Sequence, residues 1–372
     1  MGINSFSFWI SILPLVSCQR HLWLGVDLQD GTDYILTAPE MKPVSIYEEG
    51  ICSNEDNEYY TSSRESILKK CGDVCNLDID IREKKNINKN MWSGALKNID
   101  CEAVWSITHD LEELRHWPPP LVPPCPFLND FLMNNITHLR FNYMMEKDMA
   151  STPTTDTSAI WSETLINDMV NEAKQHLLHV RYGAIKGSQG DAMGKMFDGL
   201  EFLNVVNKHV LVIGSTSPWV EACVLAAGAT HVTTLEYRVI DSRHPQVSTV
   251  TMEDFQRKFF EISSHMLFDV VVSHSSLEHS GLGRYGDPIN PWADLITMAR
   301  AWCVTKSDGN LLLGVPYNYP HLTSYEEREE EERSETVSNV KEDYEVPGAI
   351  GDQFIYNAQR IYSEKRYPHL VA

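Results

Sequence analysis

The densest set of groups able to do chemistry lies between Ser273 and Leu295, in SHSSLEHSGLGRYGDPINPWADL. It carries His274, Ser275, Glu278, His279, Arg284 and Asp287. Imidazoles and carboxylates move protons near neutrality, and a guanidinium holds anions. His279 is the first candidate for a base acting on an acceptor. His274 and Ser275 would line the pocket in which that acceptor sits. A second reading gives Glu278, His279 and Arg284 a bracing role, as a salt-bridge network in a loop shaped by Gly281, Gly283 and Gly286. His274, Glu278 and His279 are apt metal ligands by type, but their spacing matches no metal motif, so no metal site is expected.

A second set lies in KHVLVIGSTSPWVEACVLAAGATHVTTLEY, residues 208–237. Val210 to Ile213 is a continuous apolar run, as in a parallel strand buried on both faces. Gly214 permits a sharp turn or a close approach to a ligand. Ser217 suits an N-cap and Pro218 a first helical position, with Gly228 closing the helix. His231 to Leu235 forms the next strand, and Glu236 ends it. A strand, a glycine turn, a helix N-terminus and an acid about 20 residues on make half of a nucleoside site. The three spaced glycines of a dinucleotide fingerprint are incomplete, because Ser215, Thr216, Ser217 and Pro218 follow Gly214. S-adenosylmethionine carries no phosphate and asks less of this loop. Gly214 and Ser215 would then meet its methionine end, and Glu236 its ribose. Glu253 or Asp254, after a strand at Val247 to Val250, would reach its adenine amine. The alternative is an ordinary crossover that binds nothing.

These residues need a scaffold of alternating strands and helices. Helical segments are expected at Ile160–Val180, Met193–Val206, Met252–His265 and Pro291–Val304. Buried strands are expected at 209–213, 231–235, 268–273 and 310–315. The pattern implies an α/β fold with a Rossmann-like, doubly wound, mostly parallel sheet over 151–372. Residues 19–150 read as an irregular region containing cysteines and prolines, with the stiff run PPPLVPPCP at 118–126. Glu326 to Glu345 reads as an acidic insertion.

The formal net charge is -21. Such a chain repels phosphate backbones, so no nucleic-acid partner is expected. No run of about 20 apolar residues offers a membrane span. Phe6 to Cys18 is short and apolar, and fits a signal peptide over residues 1–18, or else an N-terminal strand or short buried helix. With cleavage, a secreted or luminal location follows, with glycosylation at the Asn135 sequon; without it, a cytoplasmic one. Five of the eight cysteines lie between Cys52 and Cys125. They suggest a disulfide network in that region, with one thiol of the mature chain left over.

VIGSTSPWVEACVLAAGATHVTTLEY, SSLEHSGLGRYGDPINPWADL and ARAWCVTKSDGNLLLGVP resemble a nematode-expanded family of unknown function, over roughly residues 115 to 370. That family is similar to class I methyltransferases, and Leu277-Glu278-His279 resembles the triplet after the fourth strand of many of them. The resemblance implies their fold and an S-adenosylmethionine cofactor. It implies no acceptor. The chain departs from the family pattern at Gln359, where a histidine is expected; a glutamine cannot serve as a base there. Two functions remain open: a methyltransferase of unknown acceptor, or a secreted or luminal protein that keeps the fold without catalysis.

Overall fold

The computed structural model describes residues 6–10, 21–28, 54–76, 99–112, 114, 123–132, 138–141, 159–181, 188–261, 267–316, 353–356, 359–362 and 370. The Asn135 sequon, Cys18, Cys52 and the acidic run 326–345 lie outside them. Strands β1 (Phe6–Ile10) and β2 (His21–Leu28) come first, then helices α1 (Asn54–Cys71), α2 (Cys101–Glu112) and α3 (Cys125–Phe131). Strands β3 (His138–Phe141) and β4 (Ala159–Trp161) precede helices α4 (Glu163–Arg181) and α5 (Ser188–Phe202). The alternating part follows: β5 (His209–Ile213), α6 (Trp219–Ala226), β6 (His231–Glu236), β7 (Ile240–Ser242), β8 (Val247–Thr251), α7 (Met252–Glu261), β9 (Phe268–His274), α8 (Ala293–Cys303) and β10 (Thr305–Pro316). Strands β11 (Gln353–Tyr356) and β12 (Gln359–Ile361) close the set.

The main sheet runs β1-β2-β10-β9-β5-β6-β8. Every pairing is parallel except β1 with β2. Numbering β5, β6, β8, β9 and β10 one to five gives the order 3-2-1-4-5, which reverses between β5 and β9. That reversal is the switch point of a doubly wound sheet, as the alternation implied. Val210 and Val212 pair with Val270 and Val272 in one sheet.

Period-two alternation divides the core into two layers. Leu211, Ile213, Leu235, Val271 and Leu313 face a layer shared with α7, α8 and the N-terminal helices. Val210, Val212, Val232, Val270 and Leu312 face α4, α5 and α6. The helix expected from Ile160 starts later, at Glu163. The Ser162 hydroxyl accepts the Leu165 N–H and caps it, while Ala159–Trp161 pairs with β7. Its inward stripe is Ile166, Val170 and Ala173, one position off the expected Leu165 and Met169.

The N-terminal region is less irregular than its sequence suggests. Phe6–Ile10 is an edge strand, and β2 extends the parallel sheet beside β10. Tyr60, Ser63, Ile67 and Cys71 turn the inner face of α1 into the core. Arg64 joins α1 to Asp130 of α3 at 2.6 Å. Trp105 of α2 stacks on Phe255 and Phe259 at 5.0 and 5.2 Å. Arg300 of α8 lies over the same indole and donates to the Val104 carbonyl, and burial pushes its pKa down to about 10. Disulfides join Cys71 to Cys75 and Cys101 to Cys303; Cys125 is also oxidised, and Cys223 is a buried thiol. The network therefore reaches beyond the N-terminal region, because α2 docks against the end of α8.

Candidate functional site

The carboxyl ends of β5, β6 and β9 meet at the switch point, and the sequence sets converge there. Gly214 leaves β5 with φ +72°, a backbone state that glycine adopts at little cost. A Cβ at this position would collide with the Ser276 side chain, so the turns after β5 and β9 are packed face to face. The Gly214 N–H donates to the Leu235 carbonyl at 3.0 Å. No side-chain bond caps α6. The Ser217 carbonyl, not its hydroxyl as expected, is the group in use, and it accepts the Trp219 N–H at 2.8 Å.

Glu236, at the end of β6, is half-buried, and its carboxylate accepts the Tyr237 N–H at 2.8 Å. Burial raises its pKa. The N–H groups of Tyr237 and Ser215 and the charge of Arg238 pull it down, while Asp287 pushes it up. Three loops thus share one electrostatic neighbourhood. Arg238 also donates to the Thr216 carbonyl at 3.1 Å, tying the β6 end to the turn after β5.

Ser275 directly follows β9 and has φ +47°, an uncommon state for a residue with a Cβ. It is exposed, and its N–H donates to the Gly314 carbonyl at 2.9 Å. The His274 ring packs edge-on against Trp219 at 5.1 Å and lies where a side chain on Gly314 would stand. His279 is nearly buried, 3.8 Å from the Glu278 carboxylate and edge-on to Tyr285.

Asp287 and Arg360 also brace this loop. Asp287 is buried and accepts the N–H groups of Gly281, Leu282, Gly283 and Tyr285, at 2.6 to 3.3 Å. Burial raises its pKa, and those N–H bonds oppose the shift. Arg284 lies over the Tyr285 ring at 5.0 Å. From β12, buried Arg360 donates to the carbonyls of Glu278, Ser280, Asn290 and Pro291 and lies 3.7 Å from Asp294. Tyr362 donates to the same Asp294 at 3.1 Å.

Asp254 lies in the first turn of α7, its N–H donates to the Thr251 hydroxyl oxygen at 3.2 Å, and its carboxylate pairs with Arg257 at 2.6 Å with about half its side chain exposed. Arg360 and Glu221 of α6 are two buried charged residues near the site that the sequence pattern does not mark. Glu221 is fully buried, with its carboxyl 2.9 Å from the Ser215 hydroxyl and 2.7 Å from the Thr234 hydroxyl, which donates to it. Its signal was a lone carboxylate inside the apolar helix WVEACVLA. Among the described residues, no group of three His, Cys, Asp or Glu side chains is placed to hold a metal. No helix of those residues is long and apolar enough to cross a membrane.

The model of a family described as Caenorhabditis protein of unknown function matches residues 207–329. That span runs from the start of β5 to beyond β10 and contains both chemical sets. No curated protein and no solved structure matches the chain.

Proposed function

We propose that the protein binds S-adenosylmethionine at the switch point and acts as a methyltransferase. The observation that carries this reading is the acid at the end of β6, whose pKa the Ser215 N–H of the turn after β5 pulls down, beside the place between β5 and β9 where strand order reverses. Bound there, the cofactor would present an activated methyl group. Gly214 and Ser215 would flank its methionine part, and Glu236 would accept its ribose hydroxyls. His274 and the strained Ser275 would line the acceptor side. His279, beside Glu278, would take the acceptor's proton. Calorimetry with S-adenosylhomocysteine tests the reading, and His279→Ala should reduce transfer by about 10²- to 10⁴-fold while leaving that affinity nearly unchanged. Nucleic acid is a poor acceptor for a chain of charge -21. The disulfides support an oxidising compartment.

One observation favours the non-catalytic reading. Ser276 fills the space beside Gly214 that a ligand would approach, so the glycine already serves loop packing. Saturable binding of the nucleoside would decide between the two.

A further inference from the structure

Glu221 sits directly behind the turn that the proposed ligand would meet. Its Oε2 is 2.9 Å from the Ser215 hydroxyl, and its Oε1 is 2.7 Å from the Thr234 hydroxyl. The Ser215 hydroxyl is also 2.7 Å from the Ser217 carbonyl. A serine hydroxyl has one hydrogen to donate. It cannot serve both the carbonyl and an ionised carboxylate, and one of these close oxygen pairs would then lack a proton. A proton on Glu221 removes the conflict. The carboxyl donates to Ser215, Ser215 donates to the Ser217 carbonyl, and Thr234 donates to the other carboxyl oxygen.

We infer that Glu221 is a proton-operated brace, which when protonated holds the turn Gly214–Pro218 in the closed form seen here and on ionising draws the Ser215 hydroxyl away from Ser217. The proton passes to solvent, and no other bond changes. The surroundings agree with this. Burial pushes the Glu221 pKa up to about 7, the hydroxyls of Thr234 and Ser215 oppose that, and Glu236 at the end of β6 raises it further. From α4, Glu172 acts on the neighbouring Cys223 thiol, itself pushed up first by burial and then by Glu221. The β5 and α5 elements face this layer with apolar side chains, including Val210, Val212, Met196 and Phe197. Glu221 is thus a positioning residue for the site.

The sign of the linkage is fixed. A folded pKa raised above the unfolded value of 4.5 gives stability that is present below 4.5 and lost as pH rises through about 7. Glu221→Gln imitates the protonated acid, since its amide donates to Ser215 and its carbonyl accepts Thr234. Thermal melts of wild type and Glu221→Gln between pH 5 and 8 test the inference. The two should agree at pH 5, and the variant should melt ~5 °C higher at pH 8. Parallel curves over the whole range would overturn it. Should Glu221→Gln not fold, Glu221→Met must also lose the pH dependence. A ligand arm rests on the function proposed above. S-adenosylhomocysteine should bind wild type about tenfold more weakly at pH 8 than at pH 6, as the closed fraction falls, and Glu221→Gln equally at both. Absence of binding by wild type would sink the nucleoside reading, whereas the melts judge Glu221 separately.

Discussion

The two ends of the central sheet are both polar but are held in different ways. At the amino end, opposite charges and a covalent link do the holding. Lys306 pairs with Asp269 at 2.5 Å, Asp269 accepts the His209 N–H, and Cys101–Cys303 staples α2 to the end of α8 just before β10. His209 and His231 meet edge-on there, bonded to Thr233 and Ser248. At the carboxyl end, the acids Glu221, Glu236, Glu278 and Asp287 gather, and Glu221, Glu278 and Asp287 are fully or almost fully buried. Burial raises the pKa of Glu221, Glu236 and Asp287, and the backbone leaves ordinary conformations at Gly214 and Ser275. A cluster of acids is a costly way to stabilise a sheet end. Its placement at the switch point fits a site better than a staple.

The contrast can be broken most strongly at the staple. The Cys101–Cys303 link closes a span of 202 residues. Cys303→Ala should cost about 5 kcal/mol on the chain-entropy account, read by denaturant unfolding. A loss below ~1 kcal/mol would show that the amino end does not depend on it.

At the carboxyl end, the largest effect is expected at the loop braces. Arg360→Met leaves Asp294 buried without its guanidinium and removes a donor from four carbonyls. Loss of one partner from such a buried pair costs about 3–5 kcal/mol. The same unfolding experiment checks this, and a neutral result would mean that Asp294 does not depend on the guanidinium.

A pH scan sharpens the comparison, because the two ends should respond in opposite directions. Burial lowers the pKa of both amino-end histidines, and for His209 the neighbouring His231 adds to the effect. A depressed histidine gives stability that is present above its ordinary value of about 6.5 and lost as pH falls through the folded value. His231→Gln should therefore flatten the fall in melting temperature below pH 6.5 and leave the region near pH 8, governed by Glu221, unchanged. An unaltered acid limb in the variant would contradict this assignment. The carboxylate of Asp269 is desolvated, but Lys306 and the His209 N–H outweigh that and lower its pKa, so it stays charged throughout the scan.

The five parallel strands from β5 to β10 were legible because Val210–Ile213, Val270–Val272 and Leu311–Leu313 are apolar runs that only a doubly covered sheet can bury. The turn at Gly214 and the acid Glu236 were legible from spacing alone. The N-terminal helices were not, because α1 buries Ser63 between Tyr60 and Ile67 and its stripe is interrupted. The place of β2 beside β10 was also hidden, since a pairing between residues nearly 300 positions apart leaves no local trace. Glu221 went unmarked although it is a lone charge in an apolar helix, and Arg360 because it lies in the polar stretch NAQRIYSEKR; what they serve depends on neighbours from other elements. Asp254 shows the reverse. Its position after β8 suggested a ligand contact, and its side chain is engaged with Arg257 on the surface.

The central claim is that the carboxyl end is a nucleoside site built on Glu236. Isothermal titration of wild type and Glu236→Ala with S-adenosylhomocysteine tests it most directly. Charge-assisted bonds from the ribose hydroxyls are worth about 1.5–3 kcal/mol. The account predicts saturable binding by wild type and roughly 10- to 150-fold weaker binding by the variant, with its melting temperature held within a few degrees. No heat from wild type at millimolar ligand, or equal affinity in the two proteins, would contradict it.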